Sequence, residues 1–350
     1  MKSNTFLKRT MSISIIAISI WLFWPSIQHP LTTGHEKLVE ISEKKNISLP
    51  AKKINQNIPL AVKIKTITSN ESATLVAKAY ASELKFPPYS QPLTDIDFDR
   101  LKPNHFNPQS MPVDDAGNEV TASLSKYRYV YPEPVLATLA GENIDNAELQ
   151  LVDISTGELI LTQIFEKGEV NWHAQFEGKQ NLPTQLQATI KAYVNGNNVS
   201  IALALKYVDS VATLEYFDSA FNQDADMVLK ANLTIREQGI YRIRANLFDA
   251  NHQPIAHLVS KEKLNKGDGH VELKAHQSVL QGKKAPFYLS TFSIELMSPA
   301  PGQPTRYGDS EIKEYVIKNF SLSSLSEIPY QPSEQEQQRL LLLQNMAERK

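Results

Sequence analysis

Residues 240–248 put Tyr241, Ile243, Ala245 and Leu247 on one side of an extended chain and Arg242, Arg244 and Asn246 on the other. A period of two suits a strand with one buried and one wet face, and it cannot be laid on a helix, whose period is 3.6. The same alternation returns in residues 147–153, 159–165, 170–176, 186–194, 199–207 and 229–236, with Val170, Trp172, Ala174 and Phe176 expected on one inward face. Turn residues separate the runs: DISTG at 153–157, then Asn195-Gly196-Asn197-Asn198, Gln238-Gly239 and Lys266-Gly267-Asp268-Gly269. Asn-Gly supplies the positive φ angles of a tight hairpin, which would pair Leu186, Ala188, Ile190, Ala192 and Val194 with Val199, Ile201, Leu203, Leu205 and Tyr207. Short strands at roughly ten-residue spacing imply an all-β chain built as tandem antiparallel β-sandwiches.

The 350 residues leave room for two domains of about 100–150 residues, each with its own core. Residues 1–30 read as a signal peptide or N-terminal membrane anchor and residues 31–75 as a spacer. Residues 76–125 read as an extended proline-rich segment, because Pro87, Pro88, Pro92, Pro103, Pro108 and Pro112 exclude continuous helix or central strand; residues 72–84 ahead of the prolines suit a short helix. A first sandwich is expected over 126–222, ending where FDSAFNQDA breaks the alternation. A second is expected over 223–328, closed by residues 314–321, and a helix over 332–350.

In the second sandwich the order Gly239, Tyr241, Ala245, Leu247-Phe248-Asp249, then Pro254-Ile255-Ala256, Leu264, Gly267, Val271, Leu273 and Ala285-Pro286-Phe287-Tyr288-Leu289 resembles an Ig-like accessory module of bacterial secreted and envelope proteins. The resemblance spans about residues 226–325, and Ala285 stands where those modules carry Gly. It implies support, spacing or binding, and brings no catalytic residue.

Lys2, Lys8 and Arg9 precede residues 11–24, an uncharged, mainly apolar run ended by Pro25. As a helix that run is roughly 21 Å long, short of a hydrocarbon core of roughly 30 Å. A cleaved signal and an uncleaved anchor with Trp21 and Trp24 at the interface both fit, and both send the rest of the chain out of the cytoplasm. The expected location is therefore the cell envelope, as a periplasmic, membrane-anchored or secreted protein. At the other end, Ser333 and Glu336 form a capping box, and Leu340, Leu341, Leu342, Leu343 and Met346 follow as a broad apolar face. Burying four leucines is worth roughly 6–12 kcal/mol before entropy. That face should pack on the sandwiches, or dock on an envelope protein or a second copy.

Little in the chain points to chemistry. The 36 Lys and Arg against 38 Asp and Glu leave no field to gather nucleic acid, and the lack of any cysteine removes thiol chemistry and disulfides. Asp95, Asp97 and Asp99 open like a calcium loop, but Arg100 replaces its glycine and Phe106 its last glutamate. The spacing of His252, His257, His270 and His276 defines no metal ligand set on one element. No metal or other cofactor is expected. Tyr127, Tyr129 and Tyr131 share one side of a potential strand and would make an aromatic platform for a glycan if that side faced solvent. The expectation is a non-enzymatic envelope protein that binds or scaffolds another envelope component. A polysaccharide-binding module and an enzyme with Asp224, Asp226 or His257 in the inter-domain cleft are the alternatives.

Overall fold

The computed structural model describes residues 69–348. The apolar run 11–24 and most of the spacer lie outside the described residues, among which no helix is long and apolar enough to cross a membrane. The described residues all fall in one compact unit.

The first sandwich faces two five-stranded sheets across one core. In one sheet the order is Arg128–Val130, Asn197–Val208, Gln185–Val194, Ile144–Asp153 and Leu159–Ile164; in the other it is Gln109–Pro112, Glu119–Leu124, Val135–Ala140, Trp172–Phe176 and Glu166–Lys167. Neighbours are antiparallel except Arg128–Val130, which runs parallel to Asn197–Val208. The hairpin pairs Leu186 with Leu205 and Ala192 with Val199, in the register the turn demands. Asn195 and Gly196 both take positive φ, 51° and 79°, and the alternate residues Leu186, Ala188, Ile190, Ala192 and Val194 are all buried.

The second sandwich holds Ser90–Pro92, Pro254–Leu264, Gly239–Phe248 and Phe287–Leu296 in one sheet, with Arg306–Tyr307 and Glu314–Ile317 both on the last of these. In the facing sheet Asp226–Ile235 pairs with Gly267–His276, with Ala212–Phe217 and with Phe221–Gln223, and Asp309–Ser310 lies on Ala212–Phe217. Its core contains Tyr241, Ile243, Ala245 and Leu247 from one sheet and Leu229, Ala231, Leu233 and Ile235 from the other. Ile317 is buried and Tyr315 packs on the core at 5.0 Å from Phe217, so the Tyr315–Ile317 side of the closing strand faces inward.

Three local expectations give way. The stretch 76–125 is not simply extended: Ser90–Pro92 is an edge strand of the second sandwich, while Gln109–Pro112 and Glu119–Leu124 belong to the first. Proline is compatible with this because Pro92 and Pro112 end edge strands, where no ladder donor is needed. The break at FDSAFNQDA lies inside the second sandwich, between Ala212–Phe217 and Asp226–Ile235 of one sheet; the first core already ends at Tyr207. Val170 is 87% exposed because the strand starts only at Trp172.

Both cores are pinned at a corner by a tyrosine hydroxyl. Tyr241, fully buried, donates to the carbonyls of Glu237 (2.6 Å) and Val211 (3.1 Å). Tyr207 donates to the Glu133 carbonyl at 3.0 Å. A Cβ on Gly178 would overlap the Tyr207 hydroxyl and stand 2.7 Å from that same carbonyl oxygen. Gly178→Ala should therefore displace the bond and destabilise the chain by about 1–3 kcal/mol, read as a lower urea midpoint, whereas Gly269→Ala, whose added Cβ meets nothing nearer than the Ile235 side chain at 3.3 Å, should move the midpoint far less.

Candidate functional site

The helix Glu334–Glu348 packs against the helix Ser69–Glu83. Its start is fixed by reciprocal bonds: the Ser333 N–H donates to Glu336 Oε2 at 2.7 Å and the Glu336 N–H donates to Ser333 Oγ at 3.3 Å. The Ser333 and Tyr330 hydroxyls add two more bonds to the same carboxylate, at 2.8 and 3.0 Å, and these donors, the Ser333 N–H first, hold Glu336 below the usual carboxylate range. Leu340, Leu343 and Ala347 are half-buried at i, i+3 and i+7, the stripe turned to the first helix, where Ala77 is buried. Leu341, Leu342 and Met346 stay 58%, 59% and 51% exposed. Four consecutive leucines sweep about 300° around a helix, so one contact stripe cannot cover them all. Leu75 and Val76 on the first helix are exposed as well.

The three tyrosines do not form one platform. Tyr129 is buried in the first core, its hydroxyl 2.9 Å from Ser125 Oγ and accepting from the Lys126 N–H. Tyr127 is exposed beside Lys206 (5.9 Å), and Tyr131 is half-exposed in the groove between the sandwiches. The strand covers only Arg128–Val130, so its period of two does not reach Tyr127 or Tyr131.

Between the sandwiches lies a polar junction that the sequence did not single out. Arg128 of the first sandwich lies 3.6 Å over the ring of Tyr307 in the second. Burial pulls its guanidinium pKa down, opposed by Tyr307 and Glu295. The Glu295 side chain, 7% exposed, accepts from Arg242 Nε at 2.8 Å and from Arg244. On the same sheet face the buried Asn246 donates to the Arg100 carbonyl at 2.7 Å, and its Oδ1 lies 2.7 Å from His257 Nδ1. With the Asn246 nitrogen already donating, His257 must supply the proton to Oδ1. That tautomer is neutral on the far nitrogen, in keeping with burial, aided by Arg100 and Arg244, pushing the His257 pKa down to about 4.

The remaining chemical candidates are engaged separately. Asp97 accepts from the Thr94 N–H (2.8 Å) and hydroxyl (2.7 Å). Asp226 accepts from the Tyr89 hydroxyl at 3.0 Å on both oxygens and lies beside His276, away from His257. His276 caps a turn through Ser278, and His252 stacks on Tyr288 at 4.4 Å. Among the described residues no group of three or more acids or histidines could hold a metal ion.

The chain matches no protein-family model and no curated protein. Among solved structures it is similar to a DUF4785 family protein from Legionella pneumophila at 13% identity and TM-score 0.39, over 51% of this chain and 52% of that one. It is also similar to the native α2-macroglobulin of E. coli (11% identity, TM-score 0.31, 57% of this chain and 14% of that one). The Salmonella α2-macroglobulin reacted with methylamine gives 13% identity and TM-score 0.30, over 65% of this chain and 16% of that one. The matched parts thus span about half of the first protein and a small part of the others, and none of these likenesses assigns an activity.

The junction makes stability depend on acid. His257 has a folded pKa below its unfolded value of 6.5, so the unfolded chain binds the proton first. Its contribution is complete above about pH 6.5 and is lost as pH falls toward 4. His276 is shifted downward too, by burial. The melting temperature should drop over that window, and His257→Gln, which can still donate to Asn246, should flatten the decline while lowering the neutral-pH value only slightly.

Proposed function

We propose that this chain is an exported envelope protein that works by binding, with two Ig-like sandwiches as a fixed support and the C-terminal helix as the contact for a helical segment of a protein partner. The observation that carries the reading is the exposure of Leu341, Leu342 and Met346 on a helix whose other stripe is already used. Export is supported by the basic residues ahead of the apolar run 11–24. A non-catalytic role is supported by the way Asp97, Asp226, His257 and His276 are occupied in structural hydrogen bonds. A fixed support is what the junction of Arg128, Tyr307 and Glu295 offers.

Helix-in-groove recognition reads apolar anchors at i, i+3 and i+4, and Leu342 with Met346 supplies such a pair. Covering the exposed parts of three such side chains is worth roughly 2–5 kcal/mol, or about thirtyfold to several thousandfold in affinity. The test is in-cell cross-linking of the full-length chain followed by mass spectrometry, beside the Leu342→Glu/Met346→Glu variant. One particular envelope protein should be captured by the parent chain and lost, by tenfold or more, from the variant, with melting unchanged because both positions are exposed. Equal capture by the two chains would remove the helix from the proposal.

A further inference from the structure

Leu159–Ile164, sequence LILTQI, closes one end of a five-stranded sheet in the first sandwich and pairs on one side only, with Ile144–Asp153. Free strand edges are templates for further pairing, and proteins commonly guard them with charge, proline or extreme shortness. The edge strand Gly267–His276 of the second sandwich carries Asp268, Glu272 and Lys274, and Gln109–Pro112 ends in proline. LILTQI carries neither charge nor proline, and its one irregularity, the register shift at Ile160, leaves residues 161–164 regularly paired. Leu159 and Ile164 on it are 52% and 70% exposed.

We infer that this edge pairs with the same edge of a second copy, antiparallel about a two-fold axis at Gln163. The Phe165 N–H donates inward, to the Ala147 carbonyl at 2.9 Å, and Gln163 lies opposite Leu149. By the alternation of an antiparallel ladder, Thr162 and Ile164 then turn their N–H and C=O groups outward. Placing the axis at Gln163 sets Thr162 of each copy against Ile164 of the other. Each of those two pairs exchanges two hydrogen bonds, which satisfies the outward groups of both residues. The β-branched side chains of each pair lie on the same face, a favourable cross-strand combination. Beyond Phe165 each chain leaves the seam, because Glu166 and Lys167 pair with His173 and Trp172 in the facing sheet, so no charged residue of the strand meets its copy. An uncharged strand has nothing to repel its own copy, whereas a foreign acidic or basic segment would find no complement on it. The result is a continuous ten-stranded sheet through an isologous interface.

The absence of cysteine from the chain gives a clean test. Opposed residues of a non-hydrogen-bonded pair stand about 4.5 Å apart at Cα, within disulfide range. Gln163→Cys in the full-length chain, oxidised in the cell, should therefore give a disulfide-linked dimer. Tyr216→Cys, exposed on the second sandwich, should not. Adding Thr162→Pro to Gln163→Cys removes only an outward N–H, so dimer should fall at least tenfold while the melting temperature holds. The inference is overturned if Gln163→Cys stays monomeric, if Thr162→Pro leaves its dimer intact, or if Gln163→Cys couples to a different protein instead.

Discussion

Glu295 is the group on which the arrangement of the two sandwiches depends. It is nearly sealed from solvent, yet it carries charge, and that is tolerable only because Arg242 and Arg244 bind it from the neighbouring strand and Arg128 approaches from the other sandwich. Removing such a carboxylate would leave three guanidinium groups around one site without their counter-charge. The junction thus specifies how the sheets meet more than it adds net stability, since buried ion pairs spend most of their attraction on desolvation.

The same sheet face explains why the chemical candidates come to nothing as a catalytic set. Asn246 and His257 look from their positions like ordinary outward residues of a half-buried sheet, yet they are covered by the segment around Arg100 and are consumed in holding it. Asp226 is turned to Tyr89 and His276 at another place in the second sandwich. A residue's neighbours along the strand say nothing about which loop will lie over it.

Much of the local structure was legible. Alternation over 186–207 with Asn195-Gly196 between the halves fixed the hairpin and its register, because a slip of one residue would turn every apolar side chain to water. Ser333 and Glu336 marked the start of the last helix through bonds that involve only residues three apart. The tyrosines of KYRYVYPEP were less legible: a strand of three residues cannot carry a period of two across five, so Tyr129 entered the core while Tyr127 and Tyr131 did not. The prolines of 87–112 were read as excluding continuous helix and central strand, and Pro92 and Pro112 end edge strands, which that reading did not place.

The sequence by itself determined the strand periods, the tight turn and the helix cap, because each of these depends on groups within a few residues of one another. Tertiary structure alone decided which strands share a sheet, where one sandwich ends and the next begins, and which face of the last helix is used. It also decided that Arg128, Tyr307 and Glu295 meet. Those outcomes rest on contacts between segments that lie tens to hundreds of residues apart, for which local periodicity carries no information.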